Sequence, residues 1–186
     1  MKVAAANPRR LLDRRQFCLE LALLVAASAA RPRLGNAAAS ERDVKALSEA
    51  SYVYIATVRK DGNQSTAAPV WFITNVQNEI LIDTSPQSWK AKRIKRGSPV
   101  LVWIGSRTGP AFIGKAAFVD DKTVQDLMIE QIPKKYFLAR IGLFGPKRAK
   151  FEVGRIVTIR ISPQHDLPEG YTSQPGTPAP ALEEKR

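Results

Sequence analysis

Two of the side chains most used in catalysis and metal binding are nearly absent from this chain of 186 residues, which has one cysteine and one histidine. Cys18 stands close to the N-terminus and His165 close to the C-terminus. A single cysteine excludes a disulfide within the chain, and a single histidine excludes a histidine-rich metal site. A Ser–His–Asp triad is not expected either, because the one histidine lies at the start of a polar C-terminal stretch. The sequence also offers no convincing general acid, so no residue is singled out as catalytic and no metal site is expected.

Acidic residues are also few: the 17 Asp and Glu are outnumbered by 29 Lys and Arg, which gives a formal net charge of +12. Part of this excess precedes an apolar run at residues 17–30, which is followed by the small residues 37–39. A basic start, a short apolar run and small residues are the features of a cleavable signal peptide. The run is too short for a permanent membrane anchor, which needs roughly 20 apolar residues. We therefore expect residues 1–39 to be removed, with no stable membrane anchor left behind.

The pair Arg14-Arg15, followed closely by Phe17, resembles the twin-arginine motif, a receptor-read address for export. An ordinary secretory signal with a basic start is the alternative. Both predict a periplasmic or extracellular protein, for which nucleic acid is a poor partner. The twin-arginine pathway exports chains that are already folded, often with a cofactor bound. Cleavage after Ala39 would remove Cys18, seven basic residues and two acidic ones, leaving 22 basic and 15 acidic residues and a net charge of +7.

Residues 40–163 are expected to form one domain in which short strands predominate. Three apolar runs between residues 52 and 85 are separated by Asp61-Gly62 and by residues 75–78. An Asp-Gly pair between strands is a strong hairpin signal. Further strands are predicted at residues 99–106, 110–119 and 149–162, the last as one long strand or a pair. The pattern favours a mainly β fold with few helices, a small antiparallel barrel of about six strands.

Three short helices are predicted, over residues 40–50, 88–96 and 121–132. Ser40 is placed to cap the first helix, and an aspartate at the turn, Asp120 or Asp121, to cap the third. Pro133 should end the third helix, because proline lacks the N–H that a helix interior uses. Residues 164–186 are rich in proline, glycine and charge, and we expect them to form a disordered polar tail.

The helix predicted at residues 88–96 is strongly basic and begins where a strand ends in hydroxyl side chains. Five basic residues fall within seven positions, after three hydroxyls: Lys90, Lys92, Arg93, Lys95 and Arg96 follow Thr84, Ser85 and Ser88. A helix N-terminus offers free N–H groups to a phosphate, and the hydroxyls and cations would add donors for one compact anion. A solvated basic face and a nucleic-acid patch are the alternatives, and neither accounts for hydroxyls gathered at the strand end.

The spacing of Thr84, Ser88 and Lys90 fits the pattern T-x-x-x-S-x-K. It follows an early strand with an Asp-Gly turn and a P-x-W-F strand, and it precedes a strand that contains Gly114. This order resembles the pyridoxamine-phosphate-oxidase-like split β-barrel family, over about residues 47–162. The resemblance implies a six-stranded antiparallel split barrel that binds FMN, or the related deazaflavin coenzyme, across a homodimer interface.

Carried over by position, the resemblance also implies which residues hold the cofactor. Its phosphate would lie at Thr84, Ser88 and Lys90, with Ser85 as a further hydroxyl donor. Lys92 and Arg93 match family positions that are often basic. The ring system would lie along Pro69, Val70 and Trp71, where Trp71 is either a flat wall or part of the barrel core. One departure is Gly109, which stands where the oxidases of the family have glutamine, so oxidation of pyridoxine phosphate itself is not expected.

The resemblance therefore implies an exported FMN- or deazaflavin-dependent oxidoreductase acting on a small organic substrate, with hydride transfer supplied by the cofactor. The alternative is a non-catalytic module of the same fold that binds a flavin, a deazaflavin or haem, with His165 as the candidate haem ligand. Deazaflavin has a longer anionic tail and would need an extended basic groove, formed by the basic helix, Lys115 and residues 147–150.

Overall fold

The computed structural model describes residues 41–181, which form seven strands and five helices. The strands are β1 (Val53–Thr57), β2 (Ala68–Val70), β3 (Ile73–Thr74), β4 (Ile80–Thr84), β5 (Val100–Ile104), β6 (Ala111–Val119) and β7 (Val157–Asp166). The helices are α1 (Glu41–Glu49), α2 (Trp89–Lys95), α3 (Lys122–Lys135), α4 (Phe137–Arg140) and α5 (Arg148–Glu152). The predicted predominance of strands is confirmed.

All seven strands belong to one antiparallel sheet with the order β2-β1-β5-β6-β7-β4-β3. The two edge strands, β2 and β3, are consecutive in the chain and are separated only by Trp71 and Phe72. Because a trans peptide spans about 3.8 Å between Cα atoms, so short a connection brings the two edges of the sheet together. The sheet therefore curls into a half-barrel whose seam lies at these two residues.

The predicted count of six strands is corrected to seven at this seam. One continuous strand was expected through the P-x-W-F segment, but Ala68–Val70 pairs with β1 while Ile73–Thr74 pairs with β4. Phe72 leaves the ladder, and its backbone N–H and C=O are bonded instead to the hydroxyl of Tyr136, at 2.9 and 3.0 Å. Buried backbone groups need such partners, so the break is stabilised by a side chain from outside the sheet.

Strand β5 shows why the sheet is apolar on both faces, since all five of its residues are buried. Val100, Val102 and Ile104 point into the barrel, where they join the main core with Leu47 of α1 and Ile94 of α2. Leu101 and Trp103 point the opposite way and form a second apolar layer with neighbours from β1 and β6. Successive side chains of a strand alternate between faces, so one run of five apolar residues serves two cores.

Helix α3 covers a third core with Met128 and Ile132, against Ile73 and Leu81 of the sheet. The predicted cap is confirmed: Asp121 accepts hydrogen bonds from the N–H groups of Thr123 at 2.7 Å and Val124 at 3.4 Å. The predicted end at residue 132 was wrong, because the helix continues to Lys135 with Pro133 inside it. Proline removes one N–H from the final turn, and the Tyr136 N–H still bonds the Ile132 carbonyl at 2.9 Å.

Helix α2 begins and ends where the sequence predicts. Ser88 is its N-cap, Arg96 its C-cap, and Gly97 follows with a positive φ of 87°. A positive φ suits glycine because glycine has no Cβ. Helix α1 agrees with its prediction to within a residue or two, whereas its expected cap, Ser40, and the expected signal peptide at residues 1–39 lie outside the described residues.

The start of the predicted disordered tail is corrected, because strand β7 continues to Asp166. Residues 167–181 then lie against the β1–β2 hairpin and bond to Gln64, which is fully buried. The Gln64 side chain donates hydrogen bonds to the carbonyls of Thr172, at 2.9 Å, and Gln174. The ring of Tyr171 stacks at 6.5 Å on Trp103. The segment is held because its carbonyls accept both hydrogen bonds from the buried amide nitrogen of Gln64 and because it covers the outer face of β5, contacts that its polar composition did not reveal.

Candidate functional site

The turn between β4 and α2 is built by the predicted hydroxyl residues. Thr84 is the last residue of β4, and its Oγ1 lies 3.1 Å from the Oγ of Ser88. The Ser88 hydroxyl also accepts the Ala91 N–H at 3.1 Å, which caps the helix. Ser85 folds the turn: its Oγ accepts the Gln87 N–H at 3.2 Å and its carbonyl accepts the Ser88 N–H at 3.0 Å. These hydroxyls therefore fix the position of α2 against the sheet.

Lys90 lies in the first turn of α2, half-buried and close to Asp83 of β4. Burial lowers the pKa of Lys90 to about 8, and the negative charge of Asp83 opposes that shift. Burial also raises the pKa of Asp83, against the charges of Lys150 and Lys90. Within residues 41–181, no carboxylate forms an ion pair with Lys90 at 4.0 Å or less. The ammonium of Lys90 is thus partly removed from water, and the nearby charge of Asp83 offsets only part of that cost.

A cleft of about 260 Å³ lies between the β1–β2 hairpin and α2. Among residues 41–181, three hydroxyls and three cations line it without any carboxylate, and the remaining lining residues are apolar. The lining residues are Thr57, Ser65, Thr66, Arg59, Lys90, Arg93, Ile55, Ala68 and Trp89. Hydroxyls and cations around one small space can donate several hydrogen bonds to a compact anion.

Arg93 is the cation that ties α2 to β1, since its Nη1 donates to Thr57 Oγ1 at 3.3 Å. Burial lowers the pKa of Arg93, and the positive charges of Arg59 and Arg96 lower it further, while Asp61 opposes the shift. Like charges held together in a partly buried place raise the free energy of the unliganded protein. A bound anion would relieve that repulsion, which makes the cleft a candidate anion site.

Trp89 forms an exposed wall beside the cleft, with 70% of its surface accessible. The ammonium of Lys92 lies 5.4 Å from the centre of its ring, and the guanidinium of Arg93 lies 5.7 Å from it. Both distances are within the range of cation–π contacts. Lys92 itself is exposed and does not line the cleft.

The predicted ring-binding stretch divides between two sides of the seam. Pro69 is exposed and Val70 half-buried on the edge strand β2, next to Ala68 of the cleft. Trp71 instead stacks on Tyr136 with ring centres 4.6 Å apart and planes at 12°, and Phe144 meets it edge-on at 6.4 Å. The structure therefore brings Lys90 and Arg93 into the cleft, whereas Thr84, Ser85, Ser88, Lys92 and Trp71 are not among its lining residues. The cofactor roles of all nine residues stay predictions.

Four polar lining residues from the β1–β2 hairpin were missed from the sequence: Thr57, Arg59, Ser65 and Thr66. Thr57 and Arg59 stand just before the Asp61-Gly62 turn, and the hydroxyl residues Ser65 and Thr66 stand just after it. The signal was present, but only the tertiary structure places this hairpin opposite α2.

A sequence model of the pyridoxamine 5'-phosphate oxidase family matches residues 40–164, about two thirds of the chain. The chain belongs to this family. The half-barrel sheet is the fold of the pyridoxamine 5'-phosphate oxidase family, so the predicted relationship is confirmed at the level of fold and family.

Three solved structures illustrate the breadth of the fold. A conserved hypothetical protein of Mycobacterium tuberculosis has a TM-score of 0.52 and 16% identity, with 77% of this chain and 97% of that one covered. General stress protein 26 of Bacillus anthracis has a TM-score of 0.50, 21% identity, and 66% and 87% coverage. The haem storage protein HutZ of Vibrio cholerae has a TM-score of 0.50, 16% identity, and 65% and 87% coverage. No curated protein matches this chain significantly.

Proposed function

We propose that this chain binds FMN by its phosphate at the cleft between the β1–β2 hairpin and α2, and transfers hydride to or from a small organic substrate. The observation that carries the proposal is the set of three cations, Arg59, Lys90 and Arg93, which line the cleft with hydroxyls and without a carboxylate. Family membership supports a flavin-type cofactor, and the cation set supports recognition by phosphate.

The residues present fit a phosphate monoester. At neutral pH the group carries close to two negative charges and three acceptor oxygens. Arg59, Lys90 and Arg93 would supply the balancing charge, and the hydroxyls of Ser65 and Thr66 would donate to the remaining acceptors. Pockets that enclose a whole small molecule hold about 300–1,000 Å³, and this cleft holds about 260 Å³. It therefore suits one end of the cofactor, with the rest extending along the exposed edge at Pro69 and Val70.

The chain's own groups would bind and orient, while the bound cofactor would supply the hydride chemistry. Arg93 would fix the phosphate relative to β1, because it already contacts Thr57. Trp89 would shield one side of the bound group from water. No protein acid or base is assigned to the hydride step.

A deazaflavin coenzyme is the second candidate for the same site, and one observation favours it. The positive charges of Lys150 on α5 and of Lys90 in the cleft both act to lower the pKa of Asp83, although burial raises it overall. Cations thus continue from the cleft toward α5, as a longer anionic tail would require. A haem-binding or otherwise non-catalytic module remains the alternative function; the candidate haem ligand His165 lies exposed on β7, opposite Ile113.

Titration of the purified protein with FMN and with riboflavin tests the proposal. Riboflavin has the same ring system and lacks the phosphate, so we expect FMN to bind at least about tenfold more tightly, the effect of one charge-assisted hydrogen bond. Equal affinities would contradict phosphate recognition. The absorption spectrum of the protein isolated from its source separates flavin, deazaflavin and haem, and a haem spectrum would replace the oxidoreductase proposal with the alternative.

A further inference from the structure

The segment that follows α3 exposes five large apolar side chains within eight residues. The accessible fractions are 61% for Phe137, 42% for Leu138, 51% for Ile141, 63% for Leu143 and 60% for Phe144. We call these five residues the apolar ridge. Single exposed apolar side chains are ordinary in proteins, but a group of them indicates a surface that contacts something other than water.

The apolar ridge is held in place by hydrogen-bonded backbone. The Ile141 N–H bonds the Phe137 carbonyl at 3.1 Å, and the Leu143 N–H bonds the Leu138 carbonyl at 3.1 Å. Between them Ala139 points inward, buried in the third core beside Ile132. One side of this segment is thus anchored, and the other side presents its largest apolar side chains outward.

Cations surround the apolar ridge. Residues 134–155 contain seven basic residues and one acidic residue. Lys134 and Arg148 form ion pairs with Glu130 and Asp126 of α3, so the segment and its ion-pair partners together carry a net charge of +4. The ammonium of Lys147 donates to the Gly142 carbonyl at 3.1 Å, and that of Lys150 donates to the Gly145 carbonyl at 2.8 Å. The guanidinium of Arg140 lies 5.4 Å from the centre of the Phe137 ring. These contacts place three cations directly beside the exposed apolar side chains.

We propose that the apolar ridge and its neighbouring cations bind reversibly to a membrane surface rich in anionic phospholipid. Aromatic and aliphatic side chains insert at the boundary between headgroups and acyl chains, and lysine and arginine bind the lipid phosphates. The two chemistries occur together in this segment, and their contributions to membrane binding add. Such attachment is peripheral and needs no spanning segment; among residues 41–181, no helix is long and apolar enough to cross a membrane.

Charge favours an anionic membrane over a second copy of the chain as the partner of the apolar ridge. Two copies meeting through the apolar ridge would bring two segments face to face that each carry a net charge of +4 after their ion pairs are counted, and like charges across an interface oppose association. An anionic lipid surface has the opposite sign and is attracted by the same groups. The inference concerns a surface outside the proposed cofactor cleft and does not depend on it.

Sedimentation with lipid vesicles tests the proposal on the full chain. One set of vesicles contains equal parts of phosphatidylglycerol and phosphatidylcholine, and the other contains phosphatidylcholine alone. We expect the Phe137→Ser/Leu143→Ser variant to lose at least about tenfold in partitioning onto the anionic vesicles. The control Val76→Ser removes an apolar side chain that is 93% exposed elsewhere, and should partition as the unmodified chain does. All variants carry the same N-terminal segment, which therefore contributes equally.

A second variant keeps the test independent of the apolar substitutions. Arg140→Gln/Lys147→Gln should lose binding to anionic vesicles by about tenfold or more while barely affecting the weak binding to neutral ones. Lys60→Gln/Lys122→Gln removes the same charge away from the apolar ridge and should change little. Equal partitioning of all variants would overturn the proposal. So would loss of a dimer, seen by light scattering, in the Phe137→Ser/Leu143→Ser variant without loss of lipid binding.

Discussion

The hydroxyl of Tyr136 accepts a hydrogen bond from the Phe72 N–H at 2.9 Å and donates one to the Phe72 carbonyl at 3.0 Å. One side chain thereby replaces the ladder partners that Phe72 lacks at the seam of the half-barrel. Burial raises the pKa of the Tyr136 hydroxyl to about 12. The hydroxyl therefore stays protonated, and the paired bonds persist, throughout the neutral pH range.

Replacing Tyr136 with phenylalanine should lower the free energy of unfolding by about 2–6 kcal/mol, since it leaves two buried backbone groups of Phe72 without a partner and each costs roughly 1–3 kcal/mol. The ring that stacks on Trp71 is kept. Urea denaturation measures the change. Tyr52→Phe is the matched control, because the ring of Tyr52 lies 6.3 Å from that of Tyr136 but is itself 41% exposed. Equal stability of the two variants would mean that the seam needs no side-chain partner.

Lys90→Ala should weaken FMN binding by about 10- to 150-fold, because a charge-assisted hydrogen bond contributes roughly 1.5–3 kcal/mol. Arg93→Ala should have an effect of similar size. Calorimetric titration measures both. Lys122→Ala removes the same charge from an exposed position at the start of α3, and affinity should hardly change. Equal losses of affinity in all three variants would show that only the overall positive electrostatic potential of the protein attracts the cofactor.

The affinity for FMN should fall as the pH rises through about 8, the pKa of Lys90 in the free protein. The protonated ammonium binds phosphate and the neutral amine does not, so the contribution of Lys90 is complete below that pH and is lost above it. The phosphate, with a second pKa of about 6, keeps its charge over this window. Binding measured from pH 6.5 to 9.5 should show the decline, and Lys90→Arg should abolish it. An unchanged pH profile in that variant would assign the decline to another group.

We expect a homodimer, since the family resemblance places the cofactor across an interface between two copies and such symmetric pairing is the commonest form of oligomer. Light scattering at micromolar concentration with FMN present should give twice the mass of one chain. A monomer mass under those conditions would contradict the prediction.

Export should depend on the arginine pair before the apolar run. Replacing Arg14 and Arg15 with lysine keeps the charge of the N-terminus, so an ordinary secretory signal should tolerate the change, whereas a twin-arginine signal should not. Immunoblotting of cytoplasmic and exported fractions follows the precursor. Normal export of the double variant would favour the ordinary secretory route.

Local features were predicted well from the sequence because short-range chemistry decides them. Ser88 and Gly97 bound α2, and Asp121 caps α3, since capping depends on residues within one turn. The strands follow apolar runs, and the order of motifs identified the family. The end of α3 was predicted wrongly at Pro133, because a proline in the final turn of a helix removes only one hydrogen bond and need not end the helix.

Contacts between distant parts of the chain lay beyond the sequence. Whether residues 167–181 are ordered depends on Gln64, more than one hundred positions away. Which cations form the cleft depends on the curl of the sheet, which brings Arg59 of the hairpin beside Arg93 of α2. The sequence by itself determined most of the strands, the caps of α2 and α3 and the basic helix, because those follow from the preferences of neighbouring residues. It wrongly extended the last strand back over residues 149–156, where the structure has α5 and a turn. Only the tertiary structure decided where the sheet closes and which cations share one cleft, because burial brings together groups that no local pattern relates.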